Sequence, residues 1–300
     1  MKIQVITDST CDIPQETADE LGIRVVPIYI RFGNKIYRDG VDIKSDEFYK
    51  MLATSAEHPA TSQPTPDDFE AVYKEYCDKG DGIISVHISS KISGTCNSAT
   101  IAKNLMGSNC NIEVIDSQFN SAGLALIAMF AARLARVKDD LAAVADEVRQ
   151  NISRVHMIGM FDTMEYLARG GRMPRAIAKA ASILNVKPLL TFKNGEITPS
   201  GLVRSVKRGI DRLVKYVESK KNIVEMAIVH SAIPDTAEEL KKMLGWYFPE
   251  KEIQIMQLGP GLGVHGGPGV LLVALREGEG APKDKEPTLR RIMRGIKPAR

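Results

Sequence analysis

Five short stretches of this chain gather hydroxyls, glycines, arginines and one histidine in patterns that can do chemistry. They are residues 7–12 (TDSTCD), 58–66 (HPATSQPTP), 89–95 (SSKISGT), 167–173 (LARGGRM) and 259–269 (GPGLGVHGGPG). Ser93-Gly94-Thr95 is the clearest. It follows an apolar run over 82–88 and opens a helical pattern. A helix start offers unpaired N–H groups and partial positive charge. Glycine lets a ligand approach the backbone closely, and hydroxyls add orientable donors. Together they can hold a small anion, a phosphate or a carboxylate. The same residues also allow a plainer role, in which Ser93 only caps the helix.

His265 lies among four glycines and a proline in residues 263–269. An imidazole with an ordinary pKa of about 6.5 can donate, accept or shuttle a proton. Arg169 and Arg172 flank Gly170-Gly171 beside a helix end, and Arg204 stands early in a helical pattern over 202–218. These guanidiniums can complete an anion site or remain solvated. No G-x-x-x-x-G-K-[ST] occurs, which disfavours a nucleotide P-loop. Ser93 lacks the G-x-S-x-G flanks of a nucleophile elbow. A triad of Ser93, His265 and Asp8 or Asp116 stays open, since triads are set by geometry and not by chain order. The four cysteines, Cys11, Cys77, Cys96 and Cys110, show neither C-x-x-C nor zinc spacing. They are expected to be reduced, structural thiols, and no metal site is expected.

The elements that must position these loops alternate along the chain. Strand patterns cover 3–7, 24–30, 82–88, 112–116, 156–161, 188–192, 224–230, 253–258 and 270–275. Helical patterns cover 16–21, 46–52, 66–78, 95–106, 122–135, 141–152, 174–184, 202–218 and 236–245. This alternation predicts an α/β protein with largely parallel sheets. Asn194-Gly195 and Gly33-Asn34 read as hairpin turns. A division near residue 153 gives two α/β domains, 1–153 and 154–277, facing each other across a ligand cleft, followed by a basic tail at 278–300.

Composition fits a soluble globular protein, with 44% hydrophobic and 26% charged residues among 300. Seven basic against two acidic side chains give the last twenty residues +5, so the rest of a chain of net charge +3 carries −2. Basicity confined to a tail gives no case for nucleic acid. The longest apolar run, 122–132, is too short to span a bilayer, so no stable membrane insertion is expected. The N-terminus lacks the apolar region of a signal peptide, so a cytoplasmic location is expected.

Taken together, ITDST (6–10), TSQPTP (61–66), ISSKISGT (88–95), LARGGR (167–172) and GVHGGPG (263–269) resemble the DegV family in order and spacing across residues 1–277. Gly266 departs from the pattern, where a bulkier or hydroxyl residue is expected. The resemblance implies a two-domain α/β protein that binds one long-chain fatty acid between its domains, with no cofactor and no catalysis of its own. It implies a partner, a separate fatty acid kinase that converts the bound carboxylate to an acyl phosphate. The family's carboxylate donors fall on Thr61, Ser93 and the backbone N–H of Gly94. A supporting network falls on His265 and Arg169, with Arg172, Arg204 and Ser62 as further network or partner contacts. The alternatives are a serine-dependent esterase or other lipid-directed enzyme using Ser93, and a lipid-binding regulator. Residues 124–130, 177–184 and 187–192 are candidate walls for the acyl tail.

Overall fold

Every side chain of the first strand, β1 (Ile3–Asp8), is buried, as a central strand covered on both faces requires. The computed structural model describes residues 2–173 and 186–279. α1 (Gln15–Leu21) ends on Gly22 in the left-handed conformation and returns the chain to β2 (Ile23–Val26), parallel to β1. A side excursion follows: β3 (Tyr29–Phe32), β4 (Lys35–Arg38), α2 (Ser45–Thr54) and β5 (Ala60–Ser62). The three strands form a small antiparallel sheet in the order β4-β3-β5. α3 (Pro66–Cys77) starts with a capping box between Thr65 and Asp68, with Pro66 in its first turn. β6 (Gly82–His87), α4 (Thr95–Met106) and β7 (Ile112–Asp116) complete a wholly parallel sheet, ordered β2-β1-β6-β7.

α5 (Ser121–Ala135) is buried at all positions except Phe130, Arg133 and Ala135. A helix apolar on every side needs cover on every side. The cover comes from β1 and β6 of the first sheet and from strands of the second, so one apolar core runs through both. α6 (Leu141–Ile152) then leads into that second sheet.

The second sheet contains β8 (Val155–Met160), β9 (Lys187–Lys193), β10 (Glu196–Val203), β11 (Ile223–His230), β12 (Gln254–Gln257) and β13 (Leu271–Glu277). Their order is β10-β9-β8-β13-β11-β12, and only β11–β12 is parallel. The α/β class therefore holds, with a parallel first sheet, while the expectation of a largely parallel second sheet is corrected. Its cause is connectivity. The two-residue Asn194-Gly195 turn, with both φ angles positive, makes β9–β10 a hairpin, and tight turns join only antiparallel strands. Gly33-Asn34, with only Gly33 at a positive φ, joins β3 and β4 as a second hairpin.

Among the described residues, the α-helices of this half are α7 (Glu165–Arg169), α8 (Val206–Glu218), α9 (Pro234–Leu244) and α10 (Pro260–Gly266). Two readings change here. Arg204 precedes α8, because β10 continues to Val203 and Ser205 caps the helix. The glycine-rich 259–269 stretch is not all loop, since seven of its residues form α10.

Cys77 and Cys110 are joined as a disulfide, with Cα atoms 5.3 Å apart, which corrects the expectation that all four thiols are reduced. The end of α3 and the residues before β7 meet at a spacing that suits the bond. Cys11 and Cys96 are free and buried. The helix expected over 174–184 and the tail beyond 279 lie outside the described residues. Among the described residues, no helix is long and apolar enough to cross a membrane.

Candidate functional site

The loops after β1 and β6 are tied together by one buried carboxylate. Asp8 Oδ1 accepts from the Thr10 N–H at 3.1 Å and from the Thr10 hydroxyl at 2.5 Å. Asp8 Oδ2 accepts from the Ile88 N–H at 3.0 Å and contacts His87 Nδ1 at 3.1 Å. Asp8 thus sets the two strand ends from which Thr10, Ile88 and the Ser93 turn project. His87 Nε2 meets Ser85 Oγ at 2.6 Å, and the Tyr73 hydroxyl donates to Ser85 at 2.8 Å. Asp8, His87 and Ser85 stand in the order of a hydrolase triad, yet all three have no exposure, so no substrate can reach Ser85. This is a structural network. The pattern ITDST displays Asp8, but nothing in the sequence pairs it with His87.

A cavity of about 320 Å³ is lined from both halves of the chain. Its polar lining includes Thr61, Ser62, Gln63, Ser93, Arg172 and His265; its apolar lining includes Ile28, Met157, Phe161, Leu190, Phe192 and Leu272. Ser62, Gln63 and Arg172 are exposed, which places the polar end at the mouth. Of the expected tail walls, Leu190 and Phe192 line the cavity, residues 124–129 are core, Phe130 packs against that core, none of 124–130 lines the cavity, and 177–184 lie outside the described residues.

Thr61 is on β5, opposite Ile30 of β3, and its Oγ1 lies 2.8 Å from His265 Nε2. His265 stands in the last turn of α10. Burial pushes its pKa down to about 4, helped by the nearby charges of Arg172 and His58, while the Gly170 backbone acts weakly in the opposite sense. The imidazole is therefore neutral at pH 7 and carries one N–H. Nδ1 is buried and makes no hydrogen bond of good geometry. If Nε2 carries the proton and donates to Thr61, the Thr61 hydroxyl is free to donate into the cavity. Gly170 explains part of the Arg-Gly-Gly-Arg pattern, because a Cβ there would sit 2.1 Å from His265 Nδ1.

Ser93 precedes α4. Its Oγ accepts from the Thr95 N–H at 3.2 Å and lies 2.9 Å from Thr95 Oγ1. The plainer reading is thus present: the hydroxyl helps to terminate the helix. It coexists with cavity lining, since Thr95 can donate to Ser93 and leave the Ser93 proton for a ligand. Gly94 is the N-cap residue, and a Cβ on it would lie 2.2 Å from Gln63 Oε1. Its N–H makes no backbone hydrogen bond among the described residues.

Arg172 reaches back from the loop after α7. Its Nη1 donates to the Gly170 carbonyl at 2.9 Å and its Nε to the Ile92 carbonyl at 3.4 Å. The guanidinium so links the histidine loop to the Ser93 loop. Arg169 does not line the cavity; it is exposed and pairs with Glu165 one turn earlier in α7. Arg204 is exposed and also away from the lining. The structure therefore brings together Thr61, Ser62, Ser93, Arg172 and His265, with Gly94 alongside, and leaves Arg169 and Arg204 outside. Sequence reasoning missed Thr10, Gln63 and Asn120 as lining residues. Gln63 was legible only as part of TSQPTP.

The triad of Ser93, His265 and Asp8 or Asp116 is not assembled. His265 faces Thr61, Asp8 is committed to His87 and Thr10, and Asp116 accepts from Ser90 and the Gln118 N–H. No cluster of three metal-ligating side chains occurs among the described residues.

Comparison with known proteins agrees with this architecture. A DegV-domain-containing protein of Caldanaerobacter subterraneus is 35% identical over 270 residues, covering 89% of this chain and 96% of the relative. A DegV-family protein of Thermus thermophilus, described in terms of its fatty acid binding, superposes with a TM-score of 0.85 at 33% identity, over 92% of this chain and all of the other. DegV of Bacillus subtilis, described as a fatty acid binding protein, gives 0.83 at 29% identity, over 93% and 100%. The model of the DegV family, whose description is that of an uncharacterised protein, matches residues 2–277. That span holds every loop that builds the cavity mouth, together with both sheets beneath it, and the chain belongs to the DegV family.

Proposed function

We propose that this protein binds one long-chain fatty acid and presents its carboxylate to a separate fatty acid kinase, without catalysis of its own. One observation carries the reading: a single cavity has an apolar body and, at its mouth, the Thr61–His265 pair beside Ser93 and Gly94. Its volume of about 320 Å³ lies at the lower end of ligand pockets, about 300–1,000 Å³. Fatty acid binding by similar proteins of Thermus thermophilus and Bacillus subtilis supports it.

In this reading the Thr61 and Ser93 hydroxyls and the Gly94 N–H hold the carboxylate. The hydrocarbon supplies the affinity, at about 0.8 kcal/mol per buried methylene before the costs of association. His265, neutral at pH 7, orients Thr61 without adding a cation. Neutral donors fix the head group while leaving oxygen electron density available to attack a phosphate. Arg172, exposed at the mouth, is placed to meet the negative charge of a phosphorylated head group or of a partner surface. Arg169 and Arg204, outside the cavity, fit only the second of these roles. Among the described residues the Ser93 hydroxyl is hydrogen-bonded only to Thr95, so an esterase using it has no hydrogen-bonded general base.

The test is mass analysis of lipid extracted from purified protein, followed by incubation with a fatty acid kinase and ATP. Stoichiometric fatty acid and its acyl phosphate are the expected products. A protein without lipid that hydrolyses esters overturns the reading; bound lipid that the kinase does not phosphorylate overturns the presenting role.

A further inference from the structure

The glycines of α10 identify what holds His265 in place. A Cβ at position 259 would lie 2.8 Å from Asp12 Oδ1, and one at 261 would lie 2.8 Å from Asp39 Oδ2. The Gly259 N–H donates to Asp12 Oδ1 at 2.8 Å, and the Gly261 N–H faces Asp39 and favours its ionised form. Both carboxylates come from the first half of the chain, after β1 and after β4. Each is also held by a serine. Ser121 donates to Asp12 Oδ2 at 2.5 Å, and Ser9 donates to Asp39 Oδ2 at 2.8 Å while accepting from the Ile28 N–H. Asp39 is only 3% exposed.

Two neighbouring carboxylates, Asp39 buried and Asp12 half-buried, are costly. A serine or an asparagine would cap a backbone N–H without that cost. What a carboxylate adds is a charge-assisted bond, shorter and stronger than a neutral one. The helix it grips is the one that carries His265, a single turn after Gly261. Neither aspartate lines the cavity, so the head-group reading does not use them.

We propose that Asp12 and Asp39 are positioning residues, which lock the first turn of α10 from the opposite half of the chain and thereby fix His265 against Thr61. The inference rests on the head-group reading above. It makes acid binding depend on pH. Burial raises Asp12 well above the ordinary carboxylate range and brings Asp39 to about 7, while the hydrogen bonds from Ser9 and Gly261 pull Asp39 back down. The groups facing this pair are Asp8, Cys11, Tyr49 and Lys44, of which only Lys44 is a cation favouring ionised Asp39. His265 is pushed too low to titrate between pH 6 and 8. A simple carboxylic acid ionises near pH 4–5, also below that window. Protonation of Asp39 loosens its grip on Gly261, so affinity for the acid falls as pH drops through 7.

The experiment titrates palmitic acid and hexadecanol into delipidated full-length protein at pH 6, 7 and 8. Acid affinity of the parent is expected to fall roughly three- to tenfold from pH 8 to pH 6, with alcohol affinity unchanged. Asp39→Asn should flatten the acid profile. Ser9→Ala, which removes one hydrogen bond to Asp39, should move the midpoint upward. A flat parental profile overturns the proposal, as does a parental slope in Asp39→Asn. If Asp39→Asn does not fold, the parental profile and Ser9→Ala decide. A parent that binds neither ligand at any pH sinks the fatty acid reading itself, whereas tight, pH-independent acid binding sinks only the role of Asp12 and Asp39.

Discussion

Thr61 Oγ1 and His265 Nε2 lie 2.8 Å apart across 204 residues of chain. The pair joins the small antiparallel sheet to α10, so the proposed head-group site lies where the two halves meet.

Thr61→Val keeps the shape and removes the hydroxyl. One hydrogen bond to a charged group contributes about 1.5–3 kcal/mol, so fatty acid affinity should fall roughly ten- to over a hundredfold. Hexadecanol affinity should change less. Calorimetric titration of both ligands checks this, and an unchanged acid affinity removes Thr61 from the site.

Ser93→Ala should have two effects, because Ser93 both accepts from Thr95 and lines the cavity. Loss of the cap should cost about 1 kcal/mol of stability. Acid affinity should fall as for Thr61, and the double mutant should lose less than the sum, since both hydroxyls hold one head group. Additive losses with no acid-over-alcohol effect would reduce Ser93 to a cap.

Gly170→Ala drives a methyl group into His265 Nδ1. Overpacking of this kind costs about 1–3 kcal/mol. Melting temperature should drop, and acid affinity should drop with it as His265 leaves Thr61. Gly171→Ala, at a positive φ with open space around it, should cost stability alone. Equal acid affinity in both variants contradicts the assignment.

His265 gives stability an acid limit. Its folded pKa, about 4, is below the ordinary 6.5, so the unfolded chain takes up the proton first. Stability should fall as pH drops from 6.5 toward 4, by on the order of 2–3 kcal/mol. Asp39 acts in the opposite direction. Its raised pKa gives stability that is full below about 4 and lost as pH rises through 7. Denaturant midpoints should therefore show a shallower acid limb for His265→Gln, and a gain at pH 8 relative to pH 5 for Asp39→Asn. Curves parallel to the parent would remove either group from the balance.

Thiol titration of unfolded, unreduced protein should find two free cysteines, Cys11 and Cys96. Reduction of Cys77–Cys110, which closes 33 residues of chain, should lower stability by about 2–4 kcal/mol. Four free thiols would contradict the pairing.

Much of the fold was legible where its elements are local. The Thr65–Asp68 box, the Asn194-Gly195 turn and the apolar 82–88 run each declare themselves within a few residues. Antiparallel order in the second sheet did not, because strand direction depends on long connections that periodicity does not record. α10 was hidden by composition: glycines read as loop, although at 259, 261, 263 and 266 they permit close approach by Asp12, Ile28 with Asp39, Phe48 with Tyr49, and Val270. Ser93, Thr61 and His265 could be named from loop chemistry and family pattern. Their partners, Asp8 with His87 and Asp39 with α10, required coordinates because each contact bridges distant strands.

α5 bears on how a ligand leaves. A rod of apolar side chains shared by both sheets acts as a rivet, and prising the halves apart would wet it along its length. In the proposed reading, exchange then proceeds by local breathing of the walls. The β9–β10 tip is one such wall, fastened where Ser89 donates to the Gly195 carbonyl at 2.7 Å. In the proposed reading, slow escape through a small latch would give long residence times, and cargo held that way would travel with the protein until another molecule acted on its exposed end.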